Sequence, residues 1–112
     1  MKNLQDAVAL VTGAGSGIGR ATALELARAG CHLALNDIRR EPLEPVEREI
    51  QLMGRRASSF IADVSKQAEA EAMCESALKT FGQIDVLVNN AGVAVSGRIE
   101  EIPLEDWEWI MG

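Results

Sequence analysis

The chain has 112 residues, 47% of them apolar and 25% charged, which fits a soluble globular chain of one domain at most. Its net charge of -6 argues against a nucleic-acid or anionic-membrane partner, because such surfaces select a basic face. No stretch approaches the roughly twenty apolar residues of a membrane span.

Two cysteines, Cys31 and Cys74, stand far apart, with neither a C-x-x-C pair nor a His/Cys cluster. Both are expected to be reduced, as in a cytoplasmic protein, and no metal site is expected. Lys2 ahead of an apolar run has the outline of a secretory leader, but Asp6 interrupts the charged region and helix follows the run. The start therefore reads as the first strand of a domain.

Apolar runs and helical patterns alternate along the chain. Ala7 to Val11 predicts a first strand, and Gly17 to Ala29 a helix with Ile18, Ala21, Leu24 and Ala27 or Arg28 at helical spacing, stopped by Gly30. Cys31 to Asn36 is a second strand ending at Asp37, and Pro42 to Met53 a second helix burying Val46, Ile50 and Met53. Ala57 to Ala62 is a third strand, and Lys66 to Phe81 a third helix with Ala70, Met73, Ala77 and Leu78 inward. Ile84 to Val88 is a fourth strand, running into Asn89 and Asn90. A loop follows, and Pro103 opens a last helix carrying Trp107 and Trp109, which point to nearly opposite sides.

Strands that read as continuous aliphatic runs between helices predict an α/β fold with a parallel sheet covered on both faces. Right-handed crossovers then give a doubly wound sheet of four strands in the order 3-2-1-4, with a crevice beside strand one where the winding reverses. Nothing is expected on the outer edge of strand four, whose Val86-Leu87-Val88 would invite pairing. The glycine turn after strand one, Asp37, Asp63 and Asn90 all fall on one rim of this sheet.

The turn Thr12-Gly13-Ala14-Gly15-Ser16-Gly17-Ile18-Gly19 leaves a buried strand and opens a helix. That geometry gathers unpaired N–H groups and the positive helix end at one spot, which attracts phosphate. The spacing is G-x-x-x-G-x-G, at Gly13, Gly17 and Gly19, and no frame fits G-x-G-x-x-G. Asp37 lies eighteen positions after Gly19, close to the roughly twenty expected of an acid that hydrogen-bonds an adenosine ribose. A carboxylate there repels a 2′-phosphate and selects NAD over NADP; alternatively it is a turn residue before Arg39 and Arg40, whose guanidinium groups could clamp such a phosphate. Asp63 and Val64 could meet an adenine, or Asp63 or Ser65 could cap helix three. Asn89 and Asn90 end an apolar strand, where they either hold the loop or line the cofactor site. Ala91-Gly92 lets backbone approach a bulky group. His32 stands alone in its strand and reads as a core or edge histidine rather than a ligand.

These three motifs, the glycine turn, Asp63-Val64 and Asn89-Asn90-Ala91-Gly92, in this order and spacing closely resemble the classical branch of the short-chain dehydrogenase/reductase family. The resemblance covers the chain but only the N-terminal, cofactor-binding half of a typical member, an incomplete Rossmann-type domain. It implies that Gly13, Ser16, Gly17, Ile18 and Gly19 surround a pyrophosphate, with the Ile18 N–H among the donors, and that Asp37 selects NAD. Family members preferring NADP tend to carry a basic residue where Ser16 or Ile38 stands here. Asp63 and Val64 match the adenine contacts, and Asn90, Ala91 and Gly92 the segment beside the nicotinamide ribose. A homo-oligomeric parent is implied as well.

The family's hydride chemistry uses a tyrosine and a lysine four residues later, yet this sequence contains no tyrosine. No catalytic residue is therefore assigned. The expectation is the NAD(H)-binding half of an oxidoreductase acting between NAD and an alcohol or ketone, inactive by itself. The alternative is a non-catalytic dinucleotide-binding module.

Overall fold

Residues 4–90 and 96–97 are described by the structure, a computed structural model. The expectations for Ala91, Gly92, the helix opened by Pro103, Trp107 and Trp109 lie outside the described residues. In chain order the elements are β1 (Val8–Val11), α1 (Gly17–Arg28), β2 (His32–Asp37), α2 (Leu43–Leu52), β3 (Ala57–Ile61), α3 (Gln67–Phe81), β4 (Val86–Val88) and β5 (Ser96–Gly97).

Each central strand buries both faces, so its side chains sort by parity into two cores. Ala9, Val11, Leu33 and Leu35 pack with Ala23, Leu24 and Ala27 of α1 and Leu43, Val46 and Ile50 of α2. Val8, Leu10, Ala34 and Leu87 face the other way, onto Ala70, Met73, Cys74, Ala77 and Phe81 of α3. Right-handed crossovers explain the division. The chain steps outward from β1 to β2 to β3 with α1 and α2 on one face, then returns past β1 to β4 and must place α3 on the opposite face.

The four parallel strands lie in the order 3-2-1-4, as the sequence predicts. Parallel register aligns their C-terminal ends: Val11 stands opposite both Leu35 and Val88, and Asp37 opposite Ile61. The outer edge of β4 is not bare, which corrects that expectation. Ser96 and Gly97 return antiparallel against Val88 and Leu87.

Two helix faces also differ from expectation. Ile18 is 77% exposed, and Ala21 is exposed as well, because the buried face of α1 runs through Gly19, Ala23, Leu24 and Ala27 and both residues lie off that face. Leu78 is exposed on α3, where Cys74 faces the core instead, beside Ala70, Met73 and Ala77 as expected.

The opposite, N-terminal rim is tied by polar contacts. The His32 Nδ1 accepts the Arg56 N–H at 2.9 Å, and its Nε2 lies 3.2 Å from Asp6 Oδ1, which Arg55 Nη1 also reaches at 3.2 Å. His32 is thus a half-buried edge histidine joining the starts of three strands.

Burial first, then the carboxylates of Glu71 and Glu75, push the Cys74 thiol up to about 12. The core favours the neutral thiol, so its contribution to stability is complete below the ordinary cysteine value near about 8.5 and is lost as pH rises toward the raised one. At pH 8, Cys74 is expected to resist iodoacetamide in the native chain and to react once urea unfolds it. Peptide mass spectrometry checks this, and equal labelling in both states would contradict the packing of α3.

Candidate functional site

The glycine turn is shaped by backbone rather than by side chains. Gly13 and Gly17 sit at φ 63° and 58°, in the left-handed region where a Cβ costs roughly 1–2 kcal/mol. Gly19 is required for space: a Cβ there would run into the Gly13 carbonyl oxygen, and the Gly13 carbonyl carbon would stand 2.7 Å away. With that oxygen packed against Gly19, the chain passes from β1 directly into α1.

The resulting helix end is electropositive and uncompensated. Ser16, the N-cap, makes no side-chain cap bond, and α1 alone of the three described helices has no acidic residue in its first turn. Its first N–H groups therefore face outward without an internal anion.

Around this end lies a groove of about 730 Å³, lined by Gly13, Ser16, Ile18, Gly19, Asn36, Asp37, Ile38, Ala62, Asp63, Val64, Ser65 and Asn90. The volume falls within the range of small-molecule and cofactor clefts, roughly 300–1,000 Å³. Eight sequence-nominated residues thus share one groove; Gly17 stands in the same turn, and Ala91 and Gly92 lie outside the described residues.

Asp37 is held from two sides. Its Oδ2 accepts the Gly15 N–H at 3.0 Å and its Oδ1 the Ile38 N–H at 2.8 Å. A carboxylate has about four acceptor positions, so each oxygen keeps a free one. Arg39 and Arg40 do not line this groove; Arg40 borders a smaller hollow of about 350 Å³ beyond β3.

On the other flank, the buried Thr12 hydroxyl donates to Asn89 Oδ1 at 2.9 Å and accepts the Asn90 N–H at 2.9 Å. This pair of bonds fixes the end of β4 against the end of β1. The Asn90 Nδ2 is buried and has no hydrogen-bond partner, and Asn90 is among the residues lining the groove.

Asp63 does not cap α3, whose N-cap is Lys66. Its Oδ1 accepts from the Ser65 hydroxyl at 2.6 Å and the Ser65 N–H at 3.1 Å, while its own N–H donates to Glu69 Oε1 at 2.8 Å. The Ser65 hydroxyl bond first, and the Ser65 amide second, hold the Asp63 carboxyl below the usual aspartate value.

Four lining residues are not among those the sequence nominates: Asn36, Ile38, Ala62 and Ser65. Asn36 leaves one legible signal, an amide inside an apolar strand. It is buried, and its Nδ2 donates to the Phe60 carbonyl at 3.0 Å and the Ala62 carbonyl at 3.2 Å, tying the β2 end to the β3 end. Among the described residues no group of three or more His, Cys, Asp or Glu could hold a metal ion, and no helix is long and apolar enough to cross a membrane.

Residues 7–112 match the family model for short chain dehydrogenase. The CLA biosynthesis dehydrogenase/reductase of Lactiplantibacillus plantarum is 41% identical over 111 residues, covering 99% of this chain and 39% of that protein. Among solved structures, an NAD+-bound xylitol dehydrogenase is similar with a TM-score of 0.77 at 43% identity, over 82% of this chain and 35% of that one. A metagenomic short-chain oxidoreductase in complex with NADP gives a TM-score of 0.75 at 41% identity, over 81% of this chain and 42% of that one. The chain spans about two fifths of the length of the curated relatives it matches.

Two outcomes test this geometry. Gly19→Ala should destabilise the chain by roughly 1–3 kcal/mol, the cost of overpacking a closed site, read as a lower urea midpoint. Ser65→Ala should let the Asp63 carboxyl rise toward its ordinary value near about 3.9. Asp63's stabilising contribution is present above that ordinary value and is lost as pH falls through the lowered one. A carboxyl NMR titration that does not move in the variant would contradict the assigned cause.

Proposed function

This chain belongs to the short-chain dehydrogenase family, and on that footing we propose that its groove holds a nicotinamide dinucleotide, NAD in preference to NADP. In this reading the chain is the cofactor-binding part of an oxidoreductase that moves hydride between NAD and an alcohol or ketone.

The observation that carries the reading is the double anchoring of Asp37 by the Gly15 and Ile38 amides, beside a groove that neither Arg39 nor Arg40 lines. A fixed carboxylate with free acceptor positions suits two ribose hydroxyls and repels a phosphate ester in the same place. The similar solved structures include one bound to NAD+ and one in complex with NADP, so family membership leaves the choice open and Asp37 supports NAD.

The other residues divide the remaining work. The amides at Gly17, Ile18 and Gly19, with Gly13 and Ser16, form the anion cradle for the pyrophosphate. Val64 offers the adenine an apolar wall, with Asp63 at its edge. Asn90, with Ala91 and Gly92 after it, stands on the nicotinamide side, where the unpartnered Asn90 Nδ2 is a donor awaiting an acceptor. When bound, the nicotinamide ring supplies the hydride donor or acceptor.

The companion proton needs a group of suitably lowered pKa at the substrate oxygen. A phenol would serve, and these 112 residues include no tyrosine. The chain alone is therefore expected to bind cofactor without oxidising alcohols.

Isothermal titration with NAD+ and NADP+ tests the reading. The wild-type chain should prefer NAD+, and Asp37→Ala should weaken NAD+ about tenfold or more, since a hydrogen bond to a charged group is worth about 1.5–3 kcal/mol, while NADP+ binds more tightly once the repelling carboxylate is gone. Equal affinity for the two cofactors would remove the assignment of NAD, and binding of neither would remove the dinucleotide site.

A further inference from the structure

We propose that Gly15 is a positioning residue for cofactor selection: the space left by its missing side chain keeps the Asp37 carboxylate seated at the rim. The proposal rests on the reading of Asp37 as the group that favours NAD. The G-x-x-x-G-x-G spacing uses Gly13, Gly17 and Gly19 and leaves Gly15 without a role.

Gly15 is not glycine for the sake of its backbone. It is absent from the residues of positive φ, so any amino acid could adopt its conformation. It is buried, however, and its surroundings are full. A Cβ at this position would stand 2.7 Å from Asp37 Oδ2, 2.7 Å from Pro42 Cβ and 3.1 Å from Pro42 Cγ. The same Oδ2 accepts the Gly15 N–H at 3.0 Å. One residue thus donates to the carboxylate and, by lacking a side chain, makes room for it.

Both contacts are too close for a Cβ, and of the two neighbours Asp37 is the softer. Pro42 is the N-cap of α2, and the residue after it, Leu43, is fully buried with Val46 and Ile50 in the core against β1 and β2. Withdrawing Pro42 means shifting a packed helix. The Asp37 carboxylate is the end of a short side chain at a groove, held only by its second bond, to Ile38. A methyl at position 15 would turn it away and break the Gly15 bond. The contact between Gly13 and Gly19 involves neither Asp37 nor Pro42, and the Pro42 contact is the same whether or not position 37 carries a carboxylate.

The expected signature is therefore selective. In the full chain, Gly15→Ala should lower the ratio of NAD+ to NADP+ affinity about tenfold, the worth of one hydrogen bond to a charged group. Titrations of wild type, Gly15→Ala, Asp37→Ala and the double variant with both cofactors complete a double-mutant cycle. Once Asp37 is alanine, Gly15→Ala should no longer move the NAD+/NADP+ ratio. A loss shared equally by both cofactors, a ratio that Gly15→Ala leaves unmoved, or the same change in the Asp37→Ala background would each overturn the proposal. If Asp37→Ala itself leaves the ratio unmoved, the reading of Asp37 falls as well. Should Gly15→Ala fail to fold, amide hydrogen exchange decides. The Gly15 N–H should be protected in the wild type and lose that protection in Asp37→Ala, whereas equal exchange in both would overturn the proposal.

Discussion

No side-chain atom fits between position 19 and the carbonyl of Gly13, and the site is built outward from that contact. The close approach brings the chain from the end of β1 into α1 within a few residues, so the helix begins beside the strand it has just left. Its inner face, Ala23, Leu24 and Ala27, then meets Ala9 and Val11 on β1 and Leu33 and Leu35 on β2. The same approach aims the first amides of α1 away from the core. Packing of the domain and polarity of the groove are therefore two consequences of one turn.

Topology supplies the second condition. The chain winds outward on one side of β1 and resumes on the other, so the strand ends beside β1 part, and no crossover covers the rim between them. Parallel register brings the strand ends and their first loop residues to one level: Thr12 after β1, Asp37 closing β2, Ala62 and Asp63 after β3, Asn89 and Asn90 after β4. Short polar bridges then lock neighbouring ends together. Thr12 bonds to both Asn89 and Asn90, Gly15 to Asp37, and Asn36 to the carbonyls of Phe60 and Ala62. The rim is stiffened by side chains that the groove needs in fixed positions.

Much of this is legible in the sequence because burial on both faces of a parallel sheet leaves unbroken aliphatic runs, such as Val8 to Val11 and Leu33 to Leu35. The glycine spacing and the polar residues at strand ends mark the rim. The features that escape have physical reasons. Helical spacing can be drawn through Ile18, Ala21 and Leu24, but an equally periodic set, Gly19, Ala23, Leu24 and Ala27, is the one that meets the sheet, and small residues on both faces leave spacing alone ambiguous. β5 is two residues paired through their backbone, and such a pair leaves no side-chain pattern. Asp63 resembles a cap because caps and Asx-turns use the same residue types; only coordinates separate a bond to Ser65 from a bond to a helix amide. Asn36 is hidden inside an apolar run that otherwise reads as core.

Polar groups buried beside β1 also bear on how stability and site are related. An amide or hydroxyl taken from water costs free energy unless it is bonded, and Thr12, Asn36 and Asn89 meet that condition within the protein. Asn90 does not: its amide nitrogen is buried without an acceptor, at a cost of roughly 1–3 kcal/mol for an unsatisfied buried group. An apolar residue at 90 would avoid that cost and could keep the backbone bond to Thr12, which uses only the Asn90 N–H. Core packing therefore gives no reason for an amide at this position. The one unsatisfied buried side-chain nitrogen among the described residues thus belongs to a residue that lines the same groove as the glycine turn and the anchored carboxylate.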